Sequence, residues 1–331
     1  MSPYISRARL VGLKAKSLLA GPGFSGKVFA VLTTTIYLMG RDGEILWVAL
    51  EGLPVHRRCL LTSFPPGFLG TGQAFWMQNN CLRIGQRIAI QLDQVTEWEP
   101  RAVGPEQAEP LRMVNACFQE LLASLPVPGK GAGLGPAIPL ISAIAAGSGM
   151  MTFLADSLVA RASVPIVDMA KASLGQDITQ VARKGRELVG LGPGLTPSGD
   201  DFLGGLFFTT HSLQRAYPGD FYWEQGVIRD LIDWAETQTN SISHAHLSDL
   251  AQGHGPEPLH DLVASLLTGQ DLGCMMAAAT RLLGIGHTSG WDILAGLLTG
   301  MLLVTGRLNE SRRMANADSG SFGFRVAGFG F

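Results

Sequence analysis

The sequence predicts an α+β protein in which an antiparallel β-sheet or partial barrel comes first and a larger, mostly helical domain follows. The first hundred residues contain short β-rich runs separated by turn sequences. From about residue 137, apolar residues recur at intervals of three and four, which is the spacing of helices. Strands do not alternate with helices along the chain, and this argues against a doubly wound parallel sheet.

Two turn signals mark the N-terminal strands. Residues 26–50, GKVFAVLTTTIYLMGRDGEILWVAL, contain two β-rich runs joined by Arg41-Asp42-Gly43. Asp-Gly between such runs is typical of a hairpin. Residues 81–100, CLRIGQRIAIQLDQVTEWEP, give a second strand pair around Gly85-Gln86. These runs predict a small sheet that ends near Pro100.

The helical part begins after the proline- and glutamate-rich stretch EPRAVGPEQAEP. Residues 111–125, LRMVNACFQELLASL, have helical spacing and stop at Pro126. Further helices are predicted over residues 150–162, 176–189, 200–214, 223–238, 243–252, 257–268, 271–283 and 290–305. The expected organisation is a β-rich domain over 1–105, a helical domain over 106–307 and a disordered tail over 308–331.

Composition limits the classes of partner. The chain has 331 residues, with 25 basic and 27 acidic side chains and a formal net charge of -2. A nucleic-acid partner is not expected, because the basic surface of such proteins is missing. Charged residues make up only 16%, against roughly 25% in an ordinary domain. This balance predicts either a large core or an apolar face for a partner subunit.

The expected location is the cytoplasm, without a membrane contact. The four cysteines have no metal-ligand or C-x-x-C spacing, which is typical of free thiols in a reducing compartment. The N-terminal residues MSPYISRARLVGLK lack an apolar signal core. The longest apolar stretch near the end, ILAGLLTGMLLV, has 12 residues and is too short to span a bilayer.

An internal repeat lies in the helical part. Residues 191–206, LGPGLTPSGDDFLGGL, agree with residues 283–297, LGIGHTSGWDILAGL, at nine positions when one gap is placed opposite Leu195. The paired residues include Gly192 with Gly284, Gly194 with Gly286, Ser198 with Ser289, Gly199 with Gly290, Asp201 with Asp292 and Gly205 with Gly296. We therefore expect two related halves, each with a glycine loop before a helix, and both loops facing one cleft.

One interpretation of the repeat is structural. Ser198 and Asp201 have capping-box spacing, as do Ser289 and Asp292. In that arrangement the serine oxygen accepts a first-turn amide and the carboxylate reaches back to the N-cap amide. Glycines inside the helices, at Gly205 and Gly296, predict close helix packing.

A second interpretation is anion binding. A glycine-rich loop before a helix exposes amides at the positive end of the helix dipole. The candidate binding residues are Gly192, Gly194, Thr196, Ser198, Gly199 and Asp201 in the first loop, and Gly286, Thr288, Ser289, Gly290 and Asp292 in the second. The loops match neither a Walker A motif nor a dinucleotide fingerprint. A purely structural double turn stays open as the alternative.

Two residues are candidates for catalysis. Asp200 would repel a phosphate unless a cation such as Mg²⁺ or a protonated ligand group lies between them. The second repeat has Trp291 at this position, so the helix cap does not require Asp200. His287 matches Thr196 and is placed to donate to an anion. By contrast, His244, His246 and His254 are interpreted as exposed helix residues, not a metal site.

Residues 190–206, GLGPGLTPSGDDFLGGL, resemble the signature of the AllH-type subunit family of oxamate carbamoyltransferase. The segment TNSISHAHLSDLAQG and the final loop near Gly286–Gly290 are also similar to this family. The likeness extends over roughly residues 25 to 305, although the first motif is much more specific than its flanks.

The resemblance implies a part in allantoin (purine) breakdown, where oxalurate and phosphate give oxamate and carbamoyl phosphate in an enzyme of several different subunits. It therefore implies a transferase subunit with phosphate or carbamoyl phosphate and other protein subunits as partners. Two alternatives remain. One is a non-catalytic assembly or binding subunit, and the other is a metal-dependent hydrolase that uses Asp200, Asp201 and His287.

Overall fold

The computed structural model describes residues 3–21, 23–64, 67, 69–100, 102–129, 131–148, 157–223 and 225–321. A β-barrel comes first and a helical region follows, so the predicted α+β class and its order are confirmed. Among the described residues, no strand lies between 150 and 300.

The described residues form nine strands in a single sheet. They are β1 (Tyr4–Gly12), β2 (Ser25–Val31), β3 (Thr35–Gly40), β4 (Ile45–Leu50), β5 (Cys59–Thr62), β6 (Ala74–Gln78), β7 (Cys81–Ile84), β8 (Ile88–Gln91) and β9 (Thr96–Trp98). The order β5-β4-β3-β2-β6-β7-β8-β1 closes into a barrel because β1 also pairs with β5, and β9 joins β1.

Both predicted turns are confirmed. β3 and β4 form an antiparallel hairpin at Arg41–Gly43, and β7 and β8 form another at Gly85. Gly43 has φ +83°, a conformation that glycine adopts without strain. The run over 26–40 is two strands, since residues 32–34 form a turn between β2 and β3. The sheet is mixed and not purely antiparallel as expected, since β1 pairs in parallel with β8 and β9, and β4 with β5. None of these pairs is joined by a hairpin, whereas the β1–β5 pairing that closes the barrel is antiparallel.

The described residues also form eleven α-helices and a short 3₁₀ turn at Gly135–Ala137. The helices are α1 (Leu13–Ala20), α2 (Leu111–Ser124), α3 (Ile138–Ala145), α4 (Ser157–Leu174), α5 (Ile178–Gly185), α6 (Ser198–Ala216), α7 (Gln225–Ala235), α8 (Ser241–Ala251), α9 (Glu257–Leu267), α10 (Leu272–Leu283) and α11 (Ser289–Ser321).

The tail differs from the expectation. α11 continues through residues 308–321, where a disordered segment was expected, and residues 322–331 lie outside the described residues. The first part of the predicted helix over 150–162 also lies outside them, and α4 covers its second part. α1 was not predicted, because its eight residues follow directly on the apolar strand β1.

α6 and α11 pack with their backbones in close contact. A Cβ atom on Gly205 would lie 2.1 Å from the Ile293 carbonyl oxygen, and one on Gly296 would lie 1.9 Å from the Phe202 carbonyl oxygen. Phe202 and Ile293 are equivalent in the repeat, so the contact is reciprocal, as around a two-fold axis. The close packing predicted from the two glycines is confirmed.

α11 is the central helix of the core. Its segment Ser289–Ala315 is long and apolar enough to cross a membrane, but 83% of its most apolar window is buried inside the fold. Leu294, Leu298 and Leu302 have no exposed surface. This burial is the pattern of a core helix.

The helical region and the barrel each have a hydrophobic core, and a third, smaller core joins the two. Trp47 and Cys59 of the barrel pack there with Ile242 of α8. Next to it, the Arg58 Nε atom lies 2.6 Å from Asp249 Oδ2 and Nη2 lies 3.0 Å from Oδ1. This buried two-point ion pair fixes α8 against the barrel.

The reciprocal helix contact gives a stability prediction. Replacing Gly296 with alanine should lower the free energy of unfolding by about 2–3 kcal/mol, because the added carbon meets a backbone carbonyl that cannot rotate away. Gly219→Ala is the control, since nothing lies within 4 Å of a Cβ there. Urea unfolding measures both variants. A Gly296→Ala protein as stable as wild type would contradict the close packing.

Candidate functional site

A cavity of about 630 Å³ lies between the barrel and the helical region. The barrel contributes an aromatic wall that includes Tyr37, Trp47 and His56. The helical region contributes both glycine loops and part of α8. Gly194 and Gly286 line this same cavity, which confirms that the two loops face one cleft.

The structure separates the candidate residues into two sets. The residues that line the cavity are Gly194, Thr196, Asp201, Gly286, His287, Thr288 and Ser289. The residues that do not line it are Gly192, Ser198, Gly199, Asp200, Gly290 and Asp292. Gly199 and Gly290 instead support the preceding segments, where a Cβ would lie 1.9 Å from the Leu188 oxygen and 2.1 Å from the Leu282 oxygen.

The loops present free amides to the cavity. Within the described part of the chain, the amides of residues 194–196 and 286–288 donate to no protein acceptor. Gly194 has φ +97° and Gly286 has φ +60°, left-handed conformations that glycine adopts without strain and that are common in anion-binding loops. α6 begins at Ser198 and α11 at Ser289, so two positive helix ends meet here.

The capping-box interpretation is wrong for α6. Pro197 is the N-cap, and no side chain caps the helix. Ser198 is the first residue of the helix itself. A capping box would need it one position earlier, at the N-cap.

The two repeat carboxyls contact the opposite repeat. The hydroxyls of Ser289 and Thr196 donate to the Asp201 carboxyl, and those of Ser198 and Thr288 donate to the Asp292 carboxyl. Each carboxyl thus lies beside the serine of the other loop and a threonine of its own. The Thr196 and Ser289 hydroxyl oxygens are 3.1 Å apart.

Asp201 is a buried carboxyl that lines the cavity. Burial raises its pKa well above the usual range, and the nearby charges of Asp292 and Asp200 raise it further, against the effect of the two hydroxyls. Its Oδ2 atom has no hydrogen-bond partner among the described residues. These conditions favour the protonated acid.

Asp200 is placed differently from the expectation that it contacts a cation or substrate. Its Oδ1 accepts from the Gly190 amide at 2.7 Å. Its Oδ2 accepts from the Thr239 hydroxyl at 2.5 Å and the Ser243 hydroxyl at 2.6 Å. Asp200 therefore ties the first loop to the start of α8. The sequence did not indicate this, because two of the donors lie about forty positions away.

The interpretation of the histidines as exposed is wrong, because His244, His246 and His254 are all at least partly buried. His246 lines the cavity and stacks on Trp47, with ring centroids 4.5 Å apart. Burial lowers its pKa to about 3, so the ring is neutral at pH 7. His287, in contrast, is exposed at the cavity rim.

Sequence reasoning missed the aromatic wall. Trp47 stacks against both His56 and His246, whose ring centroids are only 5.5 Å apart, and Tyr37 lies beside it. Burial raises the pKa of Tyr37 to about 12, which keeps it a neutral phenol. Two features could have indicated this wall. Tyr37 alternates with buried residues along β3, and it lies opposite Trp47 in the hairpin.

No cluster of three or more His, Cys, Asp or Glu side chains that would suit a metal ion occurs among the described residues. The set proposed for a hydrolase, Asp200, Asp201 and His287, does not form one. The two Asp200 oxygens already accept three hydrogen bonds from the protein.

Residues 188–301 match the family model described as "Oxamate carbamoyltransferase subunit AllH". This segment holds both glycine loops, α8, and the parts of α6 and α11 that meet at Gly205 and Gly296. The match confirms the resemblance to the AllH family over about a third of the chain. No solved structure matches the chain.

The different positions of Asp200 and Asp201 predict different costs of removal. Asp200→Ala should lower the free energy of unfolding by about 2–4 kcal/mol, because three donors lose their acceptor. Asp201→Ala should cost less than about 1 kcal/mol, because its Oδ2 has no partner and the two hydroxyls that donate to the carboxyl, Thr196 and Ser289, lie 3.1 Å apart and can pair with each other. Chemical denaturation compares the two variants. The reverse order, which a capping box requires, would contradict these positions.

Asp292 gives a pH prediction. Burial raises its pKa from 3.8 to about 6, so its contribution to stability is complete below pH 4 and is lost as the pH rises to about 6. Asp292→Asn cannot ionise and still accepts from the Leu134 amide. Its stability relative to wild type should rise by up to about 3 kcal/mol across this interval. A constant difference in thermal melts from pH 4 to 7 would disprove the raised pKa.

Proposed function

We propose that this chain is a subunit of a carbamoyltransferase of the oxamate type and that its cavity binds phosphate or carbamoyl phosphate. One observation carries the proposal: a single cavity is lined by two glycine loops, each before a helix N-terminus, and the amides of these loop residues have no protein acceptor among the described residues. The family match over residues 188–301 covers both loops and supports the same function.

The site would neutralise an anion by dipoles. None of the described residues that line the cavity is Lys or Arg. Each helix N-terminus is equivalent to about half a positive charge, and α6 and α11 each supply one. Six unpaired amides, at residues 194–196 and 286–288, add directional donors. This number of donors suits the several oxygens of a phosphoryl group.

Asp201 is compatible with an anionic ligand. A carboxylate would repel phosphate, but burial raises the pKa of Asp201 well above its usual range and so favours the neutral acid. The neutral acid places no negative charge beside the hydroxyls of Thr196 and Ser289, which also line the cavity and can contact the anion. Phosphate binding should therefore weaken as the pH rises through the raised pKa.

The barrel wall would make these interactions stronger. Tyr37 and Trp47 of the barrel, with His246 of α8 stacked on Trp47, line the same cavity as the loops, and exclusion of water by these rings would lower the local dielectric constant. In the reaction that the resemblance implies, a phosphate oxygen bonds to the carbamoyl carbon of oxalurate. The bond from that carbon to the oxamate nitrogen breaks, and the nitrogen takes a proton. In this proposal the loop amides stabilise the negative charge that develops on the carbonyl oxygen.

The anion proposal is tested by ligand-induced thermal stabilisation of the full chain, purified with any subunits that accompany it. Phosphate and carbamoyl phosphate should each raise the melting temperature as their concentration rises. Thr196→Val should weaken binding about tenfold, because one hydrogen bond to a charged group is lost. Thr280→Val, at an exposed position on α10, is the matched control and should bind as wild type does.

Two results would contradict the proposal. The first is that neither anion stabilises the wild-type protein in the presence of its subunits. The second is a stabilisation that needs Mg²⁺ or Zn²⁺ and disappears with EDTA, which would favour the hydrolase. Anion binding without carbamoyl transfer by the complex would instead support a non-catalytic binding subunit.

A further inference from the structure

The two repeat carboxyls have matching neighbours with one exception. Asp201 has the hydroxyls of Ser289 and Thr196, and Asp292 has those of Ser198 and Thr288. Asp292 has a further partner from outside the repeat. The amide of Leu134 donates to its Oδ1 at 2.5 Å.

The segment around Leu134 packs directly against Asp292 and covers it. Gly133 has φ +55°, and a Cβ there would lie 2.2 Å from Asp292 Oδ1. Gly135 packs against the Trp291 ring, where a Cβ would lie 2.9 Å from the nearest ring carbon. Asp292 has no exposed surface as a result. Residues 133–135 thus cover this carboxyl and satisfy its Oδ1 atom. Its Oδ2 atom has no partner among the described residues, as at Asp201, but Asp292 does not line the cavity, so no ligand in the cavity reaches it.

The corresponding place at Asp201 belongs to the cavity. Asp201 lines the cavity, is only 4% exposed and has an Oδ2 atom without a partner among the described residues. A serine and a threonine hydroxyl lie beside it, as at Asp292, but no backbone N–H of the described part of the chain donates to it. A buried polar atom without a partner next to a cavity indicates that a ligand supplies the missing group.

We infer that an N–H group of the ligand takes, at Asp201, the place that the Leu134 amide holds at Asp292. Asp201 is then a specificity-determining residue for ligands that carry a carboxamide, carbamoyl or ureido N–H. This inference rests on the proposed function for the location of the ligand, and it assigns the two ends: the anionic end to the glycine loops and the N–H end to Asp201.

The chemistry of a buried carboxyl fits this class of ligand. A protonated carboxyl has a carbonyl oxygen that accepts an N–H and a hydroxyl that donates to the neighbouring C=O, so it pairs with an amide through two hydrogen bonds. A ligand with a methyl group in place of NH₂ leaves the Asp201 oxygen buried without a partner. Sites built around a polar group reject such analogues strongly.

Isosteric ligand pairs test the inference. Oxamate differs from pyruvate, and carbamoyl phosphate from acetyl phosphate, by NH₂ in place of CH₃. Isothermal titration of the full chain, with its accompanying subunits, should give at least about tenfold tighter binding for the N–H member of each pair. Inorganic phosphate, which has no N–H, is the reference for the anion site.

Three variants locate the effect. Asp201→Leu should lose the preference within each pair and keep its affinity for inorganic phosphate. Asp201→Asn should retain most of the preference, because its amide oxygen still accepts an N–H. Asp292→Asn is the matched control, and its preference should be unchanged because the Leu134 amide already occupies that side.

The outcomes separate the two proposals. Equal affinity within the pairs, or a preference that persists in Asp201→Leu, would overturn the inference even where phosphate binds. Absence of phosphate binding with the preference intact would overturn the proposed anion site alone. If none of the five ligands binds, both proposals are wrong.

Discussion

The structure depends on the contact between α6 and α11, in which two helix backbones touch through Gly205 and Gly296. Any side chain at these positions would hold the helices apart. Because the contact is reciprocal, it brings the two N-termini together and sets each repeat carboxyl beside the serine of the other loop. The two helices thus hold the two loops in equivalent positions. The difference between the loops comes from the residues that pack against each of them.

The site results from a departure from this symmetry. At Asp292 the chain closes the site with its own residues 133–135. At Asp201 the barrel stands away from the loops and leaves a cavity, with Trp47 and His246 on the far wall. The ion pair between Arg58 and Asp249 holds the barrel at this distance. The repeat thus has one carboxyl covered by the chain itself, Asp292, and one open to the cavity, Asp201. The N–H group bound at Asp292 indicates the group that Asp201 accepts from a ligand.

The sequence predicted what local patterns determine: the fold class, the Arg41–Gly43 hairpin, the later helices and the glycine contact. It did not show whether the S-x-x-D spacing forms a helix cap or a contact between the two repeats, because both structures use a serine and an aspartate at this spacing. The partners of Asp200 come from a different helix, and barrel closure by β1 joins distant strands. The aromatic wall could not be predicted, since it forms only where the barrel meets α8.

A crystal structure of the full chain with oxamate and phosphate bound tests the central claim most directly, namely that one half of a paired site is open to a ligand and the other is filled. The account predicts phosphate against the amides of residues 194–196 and 286–288 and the oxamate nitrogen within hydrogen-bond distance of Asp201, with the Leu134–Asp292 contact unchanged. Ligands outside this cavity, or an oxamate nitrogen beside Asp292 with residues 133–135 displaced, would contradict it.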